Sequence, residues 1–222
     1  MAKRIIALFP PRCKNPNKPD PSDTGYLHFC EPYAGGLAVL LANDPNGISE
    51  CVNDLNGELM NFWRVLQCPE HFEKFQRRME ATPFSEREWQ ESFHKVIFDD
   101  ADPVNRASIF FILCRQSLAG RMQGFASITR NRTRKTMNEQ ASAWLTAIEG
   151  LPAVHARLKR VVILNRDALD VIRQQDGMRT LYYLDPAYPA ETRTAPNVYD
   201  YEMSDDDHRQ LLELLSSIKG RF

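Results

Sequence analysis

The feature that most constrains this chain is a pair of short apolar segments joined by a glycine turn and a helical stretch. Tyr26 to Cys30 reads as a strand, Glu31-Pro32-Tyr33-Ala34-Gly35-Gly36 as a turn and Leu37 to Ala42 as a helix. Ile48 to Val52 is a second strand, followed by Asn53-Asp54 and a helix from Leu55 to about Gln67. Strand, turn, helix, strand, acid, helix is the order of a βαβ unit and predicts an open parallel sheet. Glycines at such a turn let backbone approach a ligand, and the next helix presents free N–H groups. A plain structural turn explains the Gly-Gly pair equally well. The spacing adds to it: Asp54 lies 18 residues beyond Gly36, near the distance at which an acid meets a ribose hydroxyl pair in nucleotide-type sites.

The rest of the chain falls around this unit. Lys3 to Phe9 is a short helical or extended piece, and Arg12 to Asp23, with Pro16, Pro19 and Pro21, is a loop. From Cys68 to Pro152 strand-like runs vanish, and Trp63, Trp89 and Trp144 sit in or beside helical stretches. Val161 to Leu164 restarts the strand pattern, Ala168 to Gln174 is helical, and Thr180 to Leu184 is a strand ending at Asp185-Pro186-Ala187-Tyr188. Ser204 is a candidate N-cap with Asp207 at the third helical position, Leu211, Leu212, Leu214 and Leu215 form an apolar face, and Gly220 stops the helix. The expected organisation is a discontinuous α/β domain over 1–67 and 153–222, with a mainly helical insert over 68–152.

Composition narrows the setting. No run approaches the roughly 18–20 apolar residues that a membrane helix needs, and the apolar run at the start is too short for a signal peptide. The five cysteines are scattered with no CxxC pair, which fits reduced thiols in the cytoplasm and neither a disulfide framework nor a zinc site. The five histidines are equally dispersed, so no metal site is expected. Net charge is only −1, but Pro103 to Asn138 holds seven Lys or Arg residues and no acid, and that segment can face phosphates.

A βαβ unit with an acid after its second strand also suits a nicotinamide-dependent oxidoreductase. The turn discriminates, because a pyrophosphate needs a three-glycine array and this turn has two glycines behind Glu31. A carboxylate there repels a diphosphate and suits S-adenosylmethionine, which carries a sulfonium and an amino group. The adenine amine is a poor nucleophile because its lone pair is delocalised into the ring. An Asp185 carboxylate and a Pro186 carbonyl aimed at its hydrogens draw the nitrogen toward tetrahedral geometry, and Tyr188 offers a face to a base rotated out of the duplex.

These segments resemble one family. Tyr26 to Leu41 looks like the methyl-donor motif of Dam-type adenine-specific DNA methyltransferases, and Val52-Asn53-Asp54-Leu55-Asn56 like their second motif. Asn165-Arg166-Asp167-Ala168-Leu169 is similar to the stretch near the donor's adenine ring. Leu181 to Tyr188 resembles the catalytic motif, and Tyr201-Glu202-Met203-Ser204-Asp205 its sequel. The resemblance implies a Rossmann-like, S-adenosylmethionine-dependent catalytic domain with a target-recognition insert. It implies catalytic roles for Asp185, Pro186 and Tyr188, and donor contacts from Glu31, Tyr33, Ala34, Gly35, Gly36, Asp54 and Asp167. Double-stranded DNA is the implied partner, and a cognate restriction endonuclease is left open. This chain has Ala187 where the family has a second proline. The resemblance also predicts a Gly-Gly-Lys segment ahead of Met1 and a further strand and Ser-Gly-Tyr type loop past Phe222, so the sheet is expected to be incomplete as the chain stands.

Weaker signals keep two readings each. Arg130, Arg132, Arg134 and Lys135 track DNA phosphates or form a solvated face; their acid-free surroundings favour DNA. Asp205-Asp206-Asp207-His208 suggests a metal site but reads better as an acidic first helical turn. Glu191 to Thr194 is a loop over substrate or a polar linker, and Trp89 and Trp144 read as helix-packing anchors. The expected function is adenine-specific methyl transfer to DNA. The alternative is a cropped relative that binds DNA without turnover; a third reading is methylation of another amine, in RNA or protein.

Overall fold

The computed structural model describes residues 1–14, 22–95, 102–126, 131–192 and 201–222. In chain order the elements are α1 (Ala2–Ile6), β1 (His28–Glu31), α2 (Ala38–Ala42), β2 (Ser49–Asn53), α3 (Gly57–Gln67), α4 (Pro69–Ala81), α5 (Glu86–Lys95) and α6 (Pro103–Gln116). They continue with β3 (Thr133–Arg134), β4 (Met137–Asn138), α7 (Glu139–Glu149), α8 (Leu151–Leu158), β5 (Val161–Leu164), α9 (Ala168–Gln175), β6 (Thr180–Tyr182) and α10 (Asp205–Ser217). The chain divides into two compact units, Met1–Met60 with Arg160–Phe222, and Asn61–Lys159.

Among its described residues the first unit holds a four-stranded parallel sheet in the order β5-β2-β1-β6. This is the α/β, Rossmann-like arrangement that the βαβ pattern predicts. Consecutive residues Phe29 and Cys30 are both buried, because β1 is central and covered on both faces. On one face Cys30, Cys51 and Tyr182 pack with Val171 and Ile172 of α9 and Leu211 and Leu215 of α10. Elsewhere in the unit the Phe29 ring meets Phe9 with centroids 5.5 Å apart. From β1 the chain steps outward to β2 and β5, and α9 then carries it back to β6 on the other side of β1. Strand order therefore reverses between β1 and β6, and open α/β sheets bind ligands beyond the strand carboxyl ends at such a point.

Several boundaries differ from expectation for identifiable reasons. Tyr26 precedes β1 and pairs instead with Arg12 in a single parallel bridge, so the stretch expected to be loop from Arg12 onward begins with paired backbone. Arg12 secures that bridge by donating from Nε to the Tyr26 hydroxyl at 3.0 Å and from Nη2 to Asn43 Oδ1 at 2.7 Å. Residues 15–21 of the expected loop lie outside the described residues. β6 ends at Tyr182 instead of Leu184: the Tyr183 N–H still reaches Cys30 O at 2.9 Å, and Pro186 then has no N–H to offer a ladder.

At α10 the predicted cap is present. Ser204 Oγ accepts the Asp207 N–H at 3.2 Å and Asp207 Oδ2 accepts the Ser204 N–H at 2.8 Å. Gly220 does not stop this helix, which ends at Ser217 with extended Ile218 as its C-cap. The chain returns alongside β6, where the Arg221 N–H donates to Thr180 O at 2.9 Å and the Tyr182 N–H donates to Arg221 O at 2.8 Å. A Cβ on Gly220 would lie 2.9 Å from Tyr182 Cε2 and 3.0 Å from Thr180 O, so glycine here permits close approach to a strand.

The second unit is mainly helical. Phe62 and Phe111 stack with centroids 5.7 Å apart, and Phe111 meets Trp144 at 5.4 Å. Trp144 is 2% exposed and its Nε1–H donates to Thr82 O at 2.9 Å, while Trp89 packs on Ile109 and Leu113; both are packing residues. The expectation that strands vanish between Cys68 and Pro152 is corrected by β3 and β4, an antiparallel pair with Thr133 opposite Asn138 and Arg134 opposite Met137. Lys135 and Thr136 turn it, both with positive φ, 50° and 62°. Two left-handed residues make a tight hairpin turn that Asn-Gly usually supplies, which is why no sequence signal marked it. Among the described residues no helix is long and apolar enough to cross a membrane.

Gly220→Ala is expected to lower stability by about 1–3 kcal/mol, since its Cβ meets backbone that cannot move without disturbing β6. Chemical denaturation followed by circular dichroism measures this; an unchanged midpoint would show that the returning segment is not held against the strand.

Candidate active site

The loops after β1, β2 and β5 are joined by one buried side chain. Asn53, the last residue of β2, is 0% exposed. Its Nδ2 donates to Pro32 O at 3.1 Å and to Arg166 O at 2.9 Å, and its Oδ1 accepts the Arg166 N–H at 2.9 Å. Its own carbonyl accepts the Ala34 N–H at 2.8 Å. A carboxamide suits this position because it has two donors and an acceptor, where a carboxylate offers no donor to the two carbonyls.

Asp54 is the next residue and locks the glycine turn. Its Oδ2 accepts the Gly35 N–H at 3.0 Å and its Oδ1 accepts the Asn56 N–H at 3.0 Å. Asn56 Oδ1 then caps α3 by accepting the Glu58 and Leu59 N–H groups at 3.0 Å each. Asn165 Nδ2 donates to Asp54 O at 2.7 Å, tying the β5 loop to the same carboxylate-bearing residue. Gly35 has φ 47°, and Leu37, which ends the turn, has φ 54° and ψ 25°. A left-handed backbone costs an L-residue about 1–2 kcal/mol. Leu37 is only 1% exposed, and burying a leucine side chain stabilises by about 1.5–3 kcal/mol, enough to offset that strain.

These loops enclose a cleft of about 590 Å³ at the carboxyl ends of the strands, in the first unit. All seven residues expected to contact the donor line it: Glu31, Tyr33, Ala34, Gly35, Gly36, Asp54 and Asp167. Asp185 and Tyr188 line it too, while half-buried Pro186 stands between Asp185 and Ala187 without lining it. Glu31 is 1% exposed at the end of β1. Asp167 is the N-cap of α9, and its Oδ1 accepts the Leu169 N–H at 2.8 Å. Burial, then Asp167 and Asp207, pushes the Tyr33 hydroxyl up to about 12, so it stays a neutral donor through the physiological range. The Tyr188 hydroxyl donates to Asp185 Oδ1 at 3.0 Å.

Other lining residues were not singled out from the sequence. Tyr183 rises in pKa through burial, then through the nearby Asp185 and Glu31 carboxylates. Tyr201, Glu202 and Met203, read only as the sequel of the catalytic motif, line the cleft, and so does Asp207. The sequence marks Asp207 as a capping residue, and the Ser204 hydroxyl and N–H do hold its carboxyl below the usual range. That it also reaches the cleft had no local signal.

A cradle for a ligand is present at the turn. A Cβ on Gly35 or Gly36 would meet nothing within 4 Å among the described residues, which leave open the space that side chains would fill. The cleft's donor set is carboxylate-rich, with no Lys, Arg or His among its described lining residues. That chemistry fits a ligand carrying positive charge and hydroxyls, and opposes a pyrophosphate.

In the second unit Arg132, Arg134 and Lys135 are exposed at the β3–β4 hairpin. Lys135 Nζ lies 3.4 Å from Glu149 Oε2, so its charge is partly engaged. Arg130 lies outside the described residues.

Asn53→Ala leaves two carbonyls and one N–H of adjoining loops without this partner. A loss of about 2–4 kcal/mol in unfolding free energy is expected from unsatisfied buried polar groups, with a loosened cleft. Urea unfolding checks it, and a loss under about 0.5 kcal/mol would show that water replaces the side chain.

The family of D12 class N6 adenine-specific DNA methyltransferases matches residues 16–222. No curated protein matches the chain. The match spans both units, and the sheet, the glycine turn and the Asp-Pro-Ala-Tyr strand end occur in one structure in the order the resemblance predicts. The chain belongs to the D12 class of N6 adenine-specific DNA methyltransferases, enzymes that methylate adenine in DNA at specific sites and whose methyl donor is S-adenosylmethionine.

Proposed function

We propose that the cleft of the first unit is where this chain carries out its family's reaction, with donor and target adenine meeting between the β1 turn and the end of β6. The observation that supports this most is the convergence of residues from four strand ends around one acid-rich cleft at the point where strand order reverses. Glu31, Tyr33, Ala34, Gly35, Gly36, Asp54 and Asp167 hold the donor. Bound there, S-adenosylmethionine supplies a methyl group activated by the sulfonium.

The chain's own residues do the rest by alignment. Asp185 accepts a hydrogen of the adenine amine through its carboxylate, and the carbonyl of Pro186, which does not line the cleft but joins Asp185 to the lining Ala187, accepts the other as the resemblance implies. Both draw the nitrogen lone pair out of the ring and toward the methyl carbon. The Tyr188 hydroxyl orients the carboxylate through its bond to Oδ1, and its ring gives the extruded base a stacking face. Such stacking stabilises by about 1–3 kcal/mol, comparable with the loss of stacking in the duplex. Displacement at carbon depends on orientation more than on proton transfer, so fixed loops matter more here than shifted acidities.

Target recognition falls to the insert, expected over 68–152 from the sequence, with DNA contacts from its basic run. Arg132 and Arg134 sit on an exposed hairpin, a shape suited to approach along a backbone or groove.

Titration calorimetry with S-adenosylmethionine, followed by methyl transfer to duplexes of varied sequence, tests the reading. Asp185→Ala is expected to lower kcat by at least about 100-fold, a loss of about 2.7 kcal/mol, while donor affinity moves less than about twofold. Retained turnover in that variant would remove Asp185 from the chemistry. Replacing Arg132 and Arg134 together with Ala is expected to weaken duplex binding and reduce the salt slope by up to about 1.8, about 0.9 for each lost phosphate contact. A slope that does not change would make the hairpin a solvated face.

A further inference from the structure

Four non-glycine residues among those described have positive φ: Leu37, Met122, Lys135 and Thr136. Of these only Leu37 is buried. Lys135 and Thr136 are exposed in a hairpin turn that demands such angles, but Leu37 is a bulky apolar residue at the lip of the cleft. A conformation of that kind persists only where the surroundings over-determine it.

The need for it lies next door. Among the described residues, Gly35 and Gly36 have open space where side chains would stand, so no side chain of their own anchors the turn, and glycine has the most freedom to lose. The upstream end of the turn is held by the Ala34 N–H on Asn53 O and the Gly35 N–H on Asp54 Oδ2. The downstream end is held at Leu37: its N–H donates to Ala34 O at 3.0 Å, its carbonyl accepts the Leu41 N–H at 2.9 Å, and its side chain is buried. From this we infer that Leu37 is a positioning residue, a buried anchor that keeps the two-glycine cradle in its ligand-ready shape before the donor arrives. The inference rests on the reading that the donor binds this cleft.

An anchor of this kind acts on donor binding more than on the chemical step, because an unanchored cradle must be ordered by the ligand. Leu37→Ala keeps the left-handed strain and removes the anchor, Leu37→Gly removes both, and Leu37→Met restores an apolar side chain of similar volume. S-adenosylmethionine affinity is read by calorimetry and kinetics by methyl transfer, at a temperature where circular dichroism shows each variant folded. The Ala and Gly forms are expected to raise the donor Kd and KM about tenfold, lower kcat at saturating donor less than about twofold, and leave duplex affinity unchanged. Leu37→Met is expected to recover most of the donor affinity. General destabilisation would instead lower kcat through the active fraction and leave KM alone. If Leu37→Ala does not fold, Leu37→Gly, which carries no backbone strain, decides the matter. A Gly form that binds donor as tightly as the parent overturns the role of Leu37. A parent chain that does not bind S-adenosylmethionine overturns the reading of the cleft itself, so the two failures are distinguishable.

Discussion

Everything at the cleft depends on the buried carboxamide of Asn53. Three loops leave the carboxyl ends of β1, β2 and β5, and each carries backbone groups that lack strand partners once the ladder ends. One side chain satisfies a carbonyl of the first loop and both a carbonyl and an N–H of the third, and the same residue's carbonyl takes the Ala34 N–H. In a site closed to solvent such bonds are worth more by being made than their net strength suggests, because the unmade bond leaves a desolvated polar group. With those loops fixed relative to one another, Asp54 can hold Gly35 while Asp167 faces the same space from the start of α9.

A second constraint is the contrast between rigid and yielding backbone in the glycine turn. Gly35 and Gly36 leave a cradle, yet the flexibility that lets a ligand approach also lets the turn collapse. The structure sets fixed points on either side, hydrogen bonds at Asn53 and Asp54 upstream and a buried, left-handed Leu37 downstream. Strain at Leu37 is tolerated because burial of its side chain outweighs it, and removing it loosens the part of the fold that donor affinity depends on.

Much of the fold was legible in the sequence because its signals are local. Strand and helix periods placed β1, β2, β5, β6 and the helices α2, α3 and α9 to within a few residues, and Ser204 with Asp207 marked the start of α10. Tyr26 reads as strand but spends its pairing on Arg12, and Gly220 reads as a helix stop but is needed where the chain crosses Tyr182 and Thr180. The β3–β4 hairpin turns on Lys135-Thr136, a pair with no turn preference of its own. For Tyr26 and Gly220 a contact distant in sequence overrode the local pattern, whereas the hairpin is local and was missed because its turn residues carry no signal.

The site divides along the same line. By itself the sequence determined the side-chain chemistry and its order: an acid before two glycines, an acid after the next strand, and an Asp-Pro-Ala-Tyr strand end, from which the methyltransferase resemblance followed. Those features are written within a few residues and survive without knowledge of packing. Only the tertiary structure decided that Asp54, Asp167 and Asp185 share a single cleft, that Tyr183, Met203 and Asp207 join them, and that Asn53 and Leu37 hold the loops in place. The physical reason is range: Asn53 meets Arg166 across 113 positions of chain, and a contact of that kind exists only once the parallel sheet has brought its strand ends together.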